Sequence, residues 1–316
     1  VAKKRLSFEN RDKNGIPLRE LIAVHRQFRP RGSLPGNLGD GFLLDQNPVF
    51  RNVRETCLDR GFVFSLTGHG LYYSFPLMSL DTVIEKRVIP FRDNFAWLPL
   101  LEKSAPGQFT LTELKRSELL FNYIFHEAAH CIAHSVFFGR ARFSRLPKNA
   151  DTLRKILLGE AFANMVEALS AAFAEGEIGS YFLDGNCHFR SSRKEVKEIR
   201  RFAKAHGFEK TARVLLAAFL YANYLLEHLG RREQARIREF AGLDKGVKVG
   251  KLARIGTELS EQFRTTTTHF HLIKMGFPAS LGPLLRPDPL AALLKKENMK
   301  LKEQAYSLAA IASRGL

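Results

Sequence analysis

Apolar positions fall into three regimes along the chain. Residues 1–50 hold no sustained period. They are basic and broken by Gly and Pro, as in Arg29-Pro30-Arg31-Gly32-Ser33-Leu34-Pro35-Gly36, and read as an extended arm with little helix of its own. Residues 51–110 carry strand signals. Gly61-Phe62-Val63-Phe64-Ser65-Leu66 and Leu71-Tyr72-Tyr73-Ser74-Phe75 are aromatic and β-branched, and Thr67-Gly68-His69-Gly70 between them reads as a hairpin turn. Thr82 to Phe91 and Phe95 to Leu100 add further strands. From residue 111 onward the pattern is helical, opened by a capping box at Thr110-Leu111-Thr112-Glu113. Helices are expected over Asp151 to Ala174, Ser191 to Lys204, Lys210 to Leu229, Arg231 to Ala241, Lys251 to Phe263 and Pro289 to Ser313, most of them punctuated by Gly or Pro.

One segment in the helical regime carries chemistry. Residues 126–130 read His126-Glu127-Ala128-Ala129-His130, with uncharged neighbours and no Pro or Gly. On a helix, His126 and His130 lie one turn apart on one face, so both imidazoles reach a common metal ion. Glu127 beside them is placed to act as general base toward a metal-activated water. The bland alternative is a pair of packed or solvated histidines, with the glutamate in water.

A catalytic zinc site needs a third protein ligand. His134 lies about 12 Å from His126 along a straight helix, too far for one ion to join them. It reads instead as a surface residue or a support for the ligands. Glu160 is the stronger candidate. It sits in the apolar run Leu157-Leu158-Gly159-Glu160-Ala161-Phe162-Ala163-Asn164-Met165-Val166-Glu167, expected to start with Asp151 as N-cap. A carboxylate on an apolar face is costly to bury unless it is paired or bound to metal. Glu160, Asn164 and Glu167 share one face, and Asn164 is the expected hydrogen-bond partner of a ligand histidine. The alternative is that this stripe is simply the solvent face of an amphipathic helix.

His-Glu-Ala-Ala-His followed by Gly-Glu-Ala-Phe-Ala-Asn resembles the gluzincin group of zinc metallopeptidases, which includes thermolysin-like and aminopeptidase-like enzymes. The resemblance covers residues 112–170. Carried over by position, it implies zinc (Zn2+) held by His126, His130 and Glu160, with Glu127 as general base. It also implies a zincin-like catalytic domain of the α+β class, mostly α, with a small N-terminal β-sheet followed by a helical C-terminal part. Related enzymes stabilise the oxyanion with a Tyr or His beyond the second ligand helix. Candidates here are Tyr224 and His228, or His269 and His271. One departure stands out: the thermolysin-like pattern has Asp four residues after the ligand glutamate, where this chain has Asn164.

Composition adds a partner class. The 316 residues hold 45% hydrophobic residues, enough for a substantial core in one or two domains. We read 1–50 as an arm and 51–316 as the catalytic domain. Lys and Arg number 49 against 32 Asp and Glu, a formal charge of +17. That surplus favours acidic partners: an acidic protein or peptide substrate, nucleic acid or an anionic membrane surface. Scattered solubilising charge explains it equally well. Cys57, Cys131 and Cys187 form no closely spaced pair, which points to a reducing, cytoplasmic setting. No signal peptide is evident after Val1, although a removed leader stays open. The longest uncharged apolar stretch, Val214 to Leu226, is too short to span a bilayer.

These observations order three functional readings. The first is a zinc-dependent peptidase acting on a protein or peptide. The second is a basic protease acting on nucleic-acid-bound proteins, which the charge favours and a glutamate ligand disfavours. The third is a metal-binding scaffold without catalysis.

Overall fold

The computed structural model describes residues 48–66, 83–85, 87–91, 120–173, 193–223, 229–261, 276–278 and 288–316. Nine α-helices occur among them, together with two strands. They are α1 (Pro48–Asp59), β1 (Val63–Leu66), β2 (Val88–Phe91), α2 (Leu120–Phe138), α3 (Ala150–Phe173), α4 (Arg193–His206), α5 (Phe208–Asn223), α6 (Arg231–Ala241), α7 (Gly250–Glu261), α8 (Pro289–Leu294) and α9 (Met299–Ser313).

Two of these helices are apolar nearly all round, and they form the interior. In α3 the residues from Leu157 to Ala172 are buried apart from Glu160 and Asn164. In α5 every residue from Val214 to Ala222 is buried. A helix without a polar face has to be enclosed by others. Accordingly α3 packs between α2 and α5, while α5 also meets α4, α6, α7 and α9. The outer helices are amphipathic. α4 turns Val196, Ile199, Phe202 and Ala203 inward and exposes Lys194, Lys197, Arg201 and Lys204. Its Arg200 is partly committed to structure, with Nε donating to the Ala172 carbonyl at the end of α3.

By length and composition α3 could also cross a membrane, but 78% of its apolar window is buried inside this fold. It serves here as the core helix of a bundle.

The α+β, zincin-like expectation is overturned. Among the described residues the regular structure is helical apart from one two-stranded ladder, in which Val63–Leu66 pairs with Val88–Phe91 in parallel. Two four-residue strands do not make a sheet layer, since such a pair has little stability of its own. The hairpin from 61–66 to 71–75 is not the pairing that β1 makes. Its turn and second strand, like the expected strand over 95–100 and the capping box at 110–113, lie outside the described residues. So do residues 1–47 of the arm. The segment expected to open the β-rich part instead begins with α1. Pro48 starts that helix, where its missing N–H is not needed. Val49, Val53 and Cys57 then form a buried stripe at four-residue spacing.

Two boundaries also differ. Asn149, not Asp151, caps α3: its Oδ1 accepts from the Thr152 N–H at 2.9 Å, while Asp151 pairs with Lys155 at 2.7 Å. The single helix expected over 289–313 is two helices, α8 and α9, joined by a 3-10 turn over Lys296–Asn298. Asn298 fixes that break by donating to the Ala292 carbonyl at 2.6 Å.

Residues 288–316 fold back as a clasp. Asp288 caps α8 by accepting from the N–H groups of Leu290 and Ala291, and it also accepts from the buried Tyr221 hydroxyl of α5. Further along, Gln304 donates to the Val136 carbonyl of α2, Tyr306 to the Phe240 carbonyl of α6, and Asn52 of α1 to the Arg314 carbonyl.

A tight helix contact lies between α5 and α7. A Cβ built on Gly256 would meet the Ala218 Cβ at 2.7 Å and its backbone carbon at 3.0 Å. Gly256→Ala should therefore destabilise the fold. Overpacking costs about 1–3 kcal/mol, more than the roughly 1 kcal/mol gained in helix propensity. Urea unfolding checks this, with Gly246→Ala as the control. Nothing lies within 4 Å of a Cβ at Gly246, so that change should stay within about 0.5 kcal/mol.

Candidate metal centre

His126 and His130 lie on α2, where their four-residue spacing stacks the two rings one turn apart. The opposite side of α2 is held in the core by Ala128, Ala129, Cys131 and Ile132, all fully buried. That fixes the rotation of the helix and aims both histidines at α3. Glu160 comes from α3, directly after Gly159. A Cβ on Gly159 would stand only 3.3 Å from the Ala133 Cβ, so the two helix backbones approach closely beside the site.

Three side-chain atoms converge there. The Nε2 atoms of His126 and His130 are 2.9 Å apart. Oε2 of Glu160 lies 3.8 Å from the first and 3.5 Å from the second. This His126–His130–Glu160 group is able to hold a metal ion. A circle through the three atoms has a radius of about 2.0 Å, matching metal–nitrogen and metal–oxygen bonds of about 2.0–2.2 Å. An ion at its centre would be in reach of all three ligands without movement of the helices.

The electrostatics suit coordination. Burial holds the His126 imidazole below its usual range, against the opposing pull of the Glu160 charge. His130 is pushed down to about 4, by burial first, with Glu160 acting to raise it and His126 to lower it further. Both rings are therefore neutral at pH 7, the form that binds a metal. The histidine side chains are each 18% exposed and that of Glu160 is 37% exposed, so the ligand triangle has one open side.

A fourth group meets this cluster. Oε1 of Glu167 lies 3.3 Å from Nδ1 of His126, and the Glu167 side chain is only 2% exposed. The sequence reading assigned contact with a histidine to Asn164. Asn164 sits half-buried on α3 and makes no hydrogen bond to either histidine among the described residues. The i, i+4, i+7 stripe signalled both positions. Which of them meets the ring depends on how α2 crosses α3, and periodicity does not carry that.

The other sequence candidates fall into two groups. Glu127 is within α2, next to His126, but its side chain lies outside the described part of the structure. Tyr224, His228, His269 and His271 lie outside the described residues. His134 is neither a ligand nor a surface residue. It is buried, and its Nε2 lies 2.7 Å from the Ala141 carbonyl, tying the end of α2 to the turn that follows. Cys131 and Cys57 are buried in the core and form no disulfide among the described residues. Cys57 donates to the Ala128 carbonyl of α2 at 3.6 Å.

No known family matches this chain, and neither do any curated proteins or solved structures with which it was compared.

Three substitutions test the ligand set. His130→Ala and Glu160→Ala should each abolish stoichiometric metal binding in elemental analysis of the dialysed protein. Asn164→Ala should retain it, because that side chain reaches neither ring.

Proposed function

We propose that the chain is a zinc-dependent peptidase. The reading is supported above all by one observation: two imidazoles and a carboxylate from neighbouring helices converge on a metal-sized point, with Glu127 following the first histidine. His126, His130 and Glu160 would hold the ion. Two nitrogens and one carboxylate oxygen suit zinc, whereas calcium and magnesium are bound by oxygen ligands. When bound, zinc would supply Lewis-acid polarisation and lower the pKa of a coordinated water.

The chain's own residues supply the rest. Glu127 would take the proton from the attacking water and later return it to the leaving amine. His126 and His130 are neutral and fixed by the packed face of α2, so neither ring has a positive charge to lose before it binds a metal. Glu160 would bring one negative charge to the ion, and its exposure leaves room for a substrate carbonyl. The flank of α2 remote from the site is apolar and closed, so substrate would have to enter on the Glu160 side. Tyr224 or His271 remain the proposed oxyanion donors, carried only by the resemblance to gluzincins. A protein or peptide is the proposed substrate, with acidic sequences favoured by the +17 charge.

Glu127→Gln separates catalysis from binding. The variant should keep its zinc by elemental analysis and lose peptide hydrolysis by about 10²–10⁴-fold, the usual contribution of a general base. Hydrolysis at the wild-type rate by zinc-loaded Glu127→Gln would refute this mechanism. A wild-type chain that binds zinc but yields no new termini from a denatured-protein mixture would favour the scaffold reading.

A further inference from the structure

We infer that Glu167 is a positioning residue for the metal centre, its carboxylate accepting the Nδ1 proton of His126 and leaving Nε2 as the lone-pair nitrogen that faces Glu160. The inference rests on the metal-binding reading of the site and deepens it.

The geometry begins in α3. Glu160 and Glu167 are seven residues apart, nearly two full turns, so they lie on one face about 10.5 Å apart along the axis. The His126 ring from α2 approaches both. Its Nε2 lies 3.8 Å from Oε2 of Glu160 and its Nδ1 3.3 Å from Oε1 of Glu167, a close approach not yet aligned as a hydrogen bond. One helix thus addresses both nitrogens of a single imidazole, each with a carboxylate. Their surroundings differ sharply. Glu160 is 37% exposed, while Glu167 is 2% exposed. The exposed carboxylate can meet an ion and a substrate. The buried one sits among Ala163, Val166, Ala168 and Ala171 of its own helix, all of them core residues.

A neutral imidazole carries one N–H and one lone pair, and the partner of one nitrogen decides which it is. An ionised carboxylate can only accept a hydrogen bond, so in that form Glu167 requires the proton on Nδ1. That choice leaves Nε2 bare, and Nε2 is the atom in the ligand triangle. Burying a carboxylate in an apolar core is unfavourable in itself, and an apolar residue of similar size at such a position is often neutral or stabilising. A carboxylate held there against that penalty is explained by what it does to His126. The seven-residue spacing also accounts for Asn164, four residues after Glu160. The acceptor at His126 stands one turn further along α3, and it carries a charge that Asn lacks.

The test uses the full chain and Zn2+ alone. Zinc affinity is measured by competition with a chromophoric chelator, and stability by thermal melting of the metal-free protein. Glu167→Leu should melt at or above the wild-type temperature, yet bind zinc about 10–100-fold more weakly, the usual loss when a ligand histidine loses its outer partner. Glu167→Gln keeps an acceptor oxygen and should recover part of that loss. A purely structural role predicts the reverse for Glu167→Leu: a lower melting temperature with unchanged affinity in the folded fraction. Affinity within twofold of wild type in folded Glu167→Leu overturns the inference. Should that variant not fold, the ring-nitrogen chemical shifts of His126 in the metal-free wild type decide. A protonated Nδ1 supports the inference and a protonated Nε2 overturns it. If the wild type itself takes up no zinc, the metal reading fails, and the same shifts still settle whether Glu167 sets the tautomer.

Discussion

The close crossing of α2 and α3 at Ala133 and Gly159 is the constraint on which the site depends. A 3.3 Å allowance for one extra carbon is tighter than ordinary packing, so the neighbour would have to yield by tenths of an ångström. Gly159 immediately precedes Glu160, and Ala133 is one turn beyond His130. The separation of the two backbones at that point sets how far the Glu160 carboxylate stands from the imidazoles. The ligand atoms are 2.9–3.8 Å apart, and a bulkier residue at either of these buried crossing positions would press the helices apart beside that triangle.

The same crossing places polar groups within an otherwise apolar stretch of α3. α3 is enclosed by α2 and α5, yet it carries Glu160 and Glu167 within its apolar stretch. Each lies against a histidine of α2, so neither faces bare hydrocarbon. Glu160 keeps partial contact with solvent, whereas Glu167 is held in the interior beside His126, while the rest of the helix contributes apolar packing. Core and site therefore share the same two helices and are not separable by surface grafting.

Much of this was legible in the chain. The periodicity of α4, α6 and α7 and the unbroken apolar runs of α3 and α5 placed those helices within a few residues of where they lie. His126, His130 and Glu160 stood out because ionisable residues interrupt apolar helices there. What the pattern did not carry is non-local. β1 has strand composition, but its parallel partner at Val88–Phe91 lies across intervening chain, and strand composition does not name a partner. α1 was missed because Arg51, Arg54 and Glu55 dilute a stripe that only three small or branched residues define. Glu167 was on the right face, but a crossing angle, not a period, selected it over Asn164.

The clasp formed by residues 288–316 has a consequence for biosynthesis. Asn52 reaches the Arg314 carbonyl across 262 positions of sequence, and Gln304 reaches the helix that bears His126 and His130. Contacts that close such long loops form late, because the entropy of loop closure precedes any gain from them. While the polypeptide is still emerging from the ribosome, α2 and α3 lack the partner that finally secures them, and their apolar faces stay open to chaperones or to aggregation. Complete closure of the bundle around the histidine helix therefore waits for translation of α9.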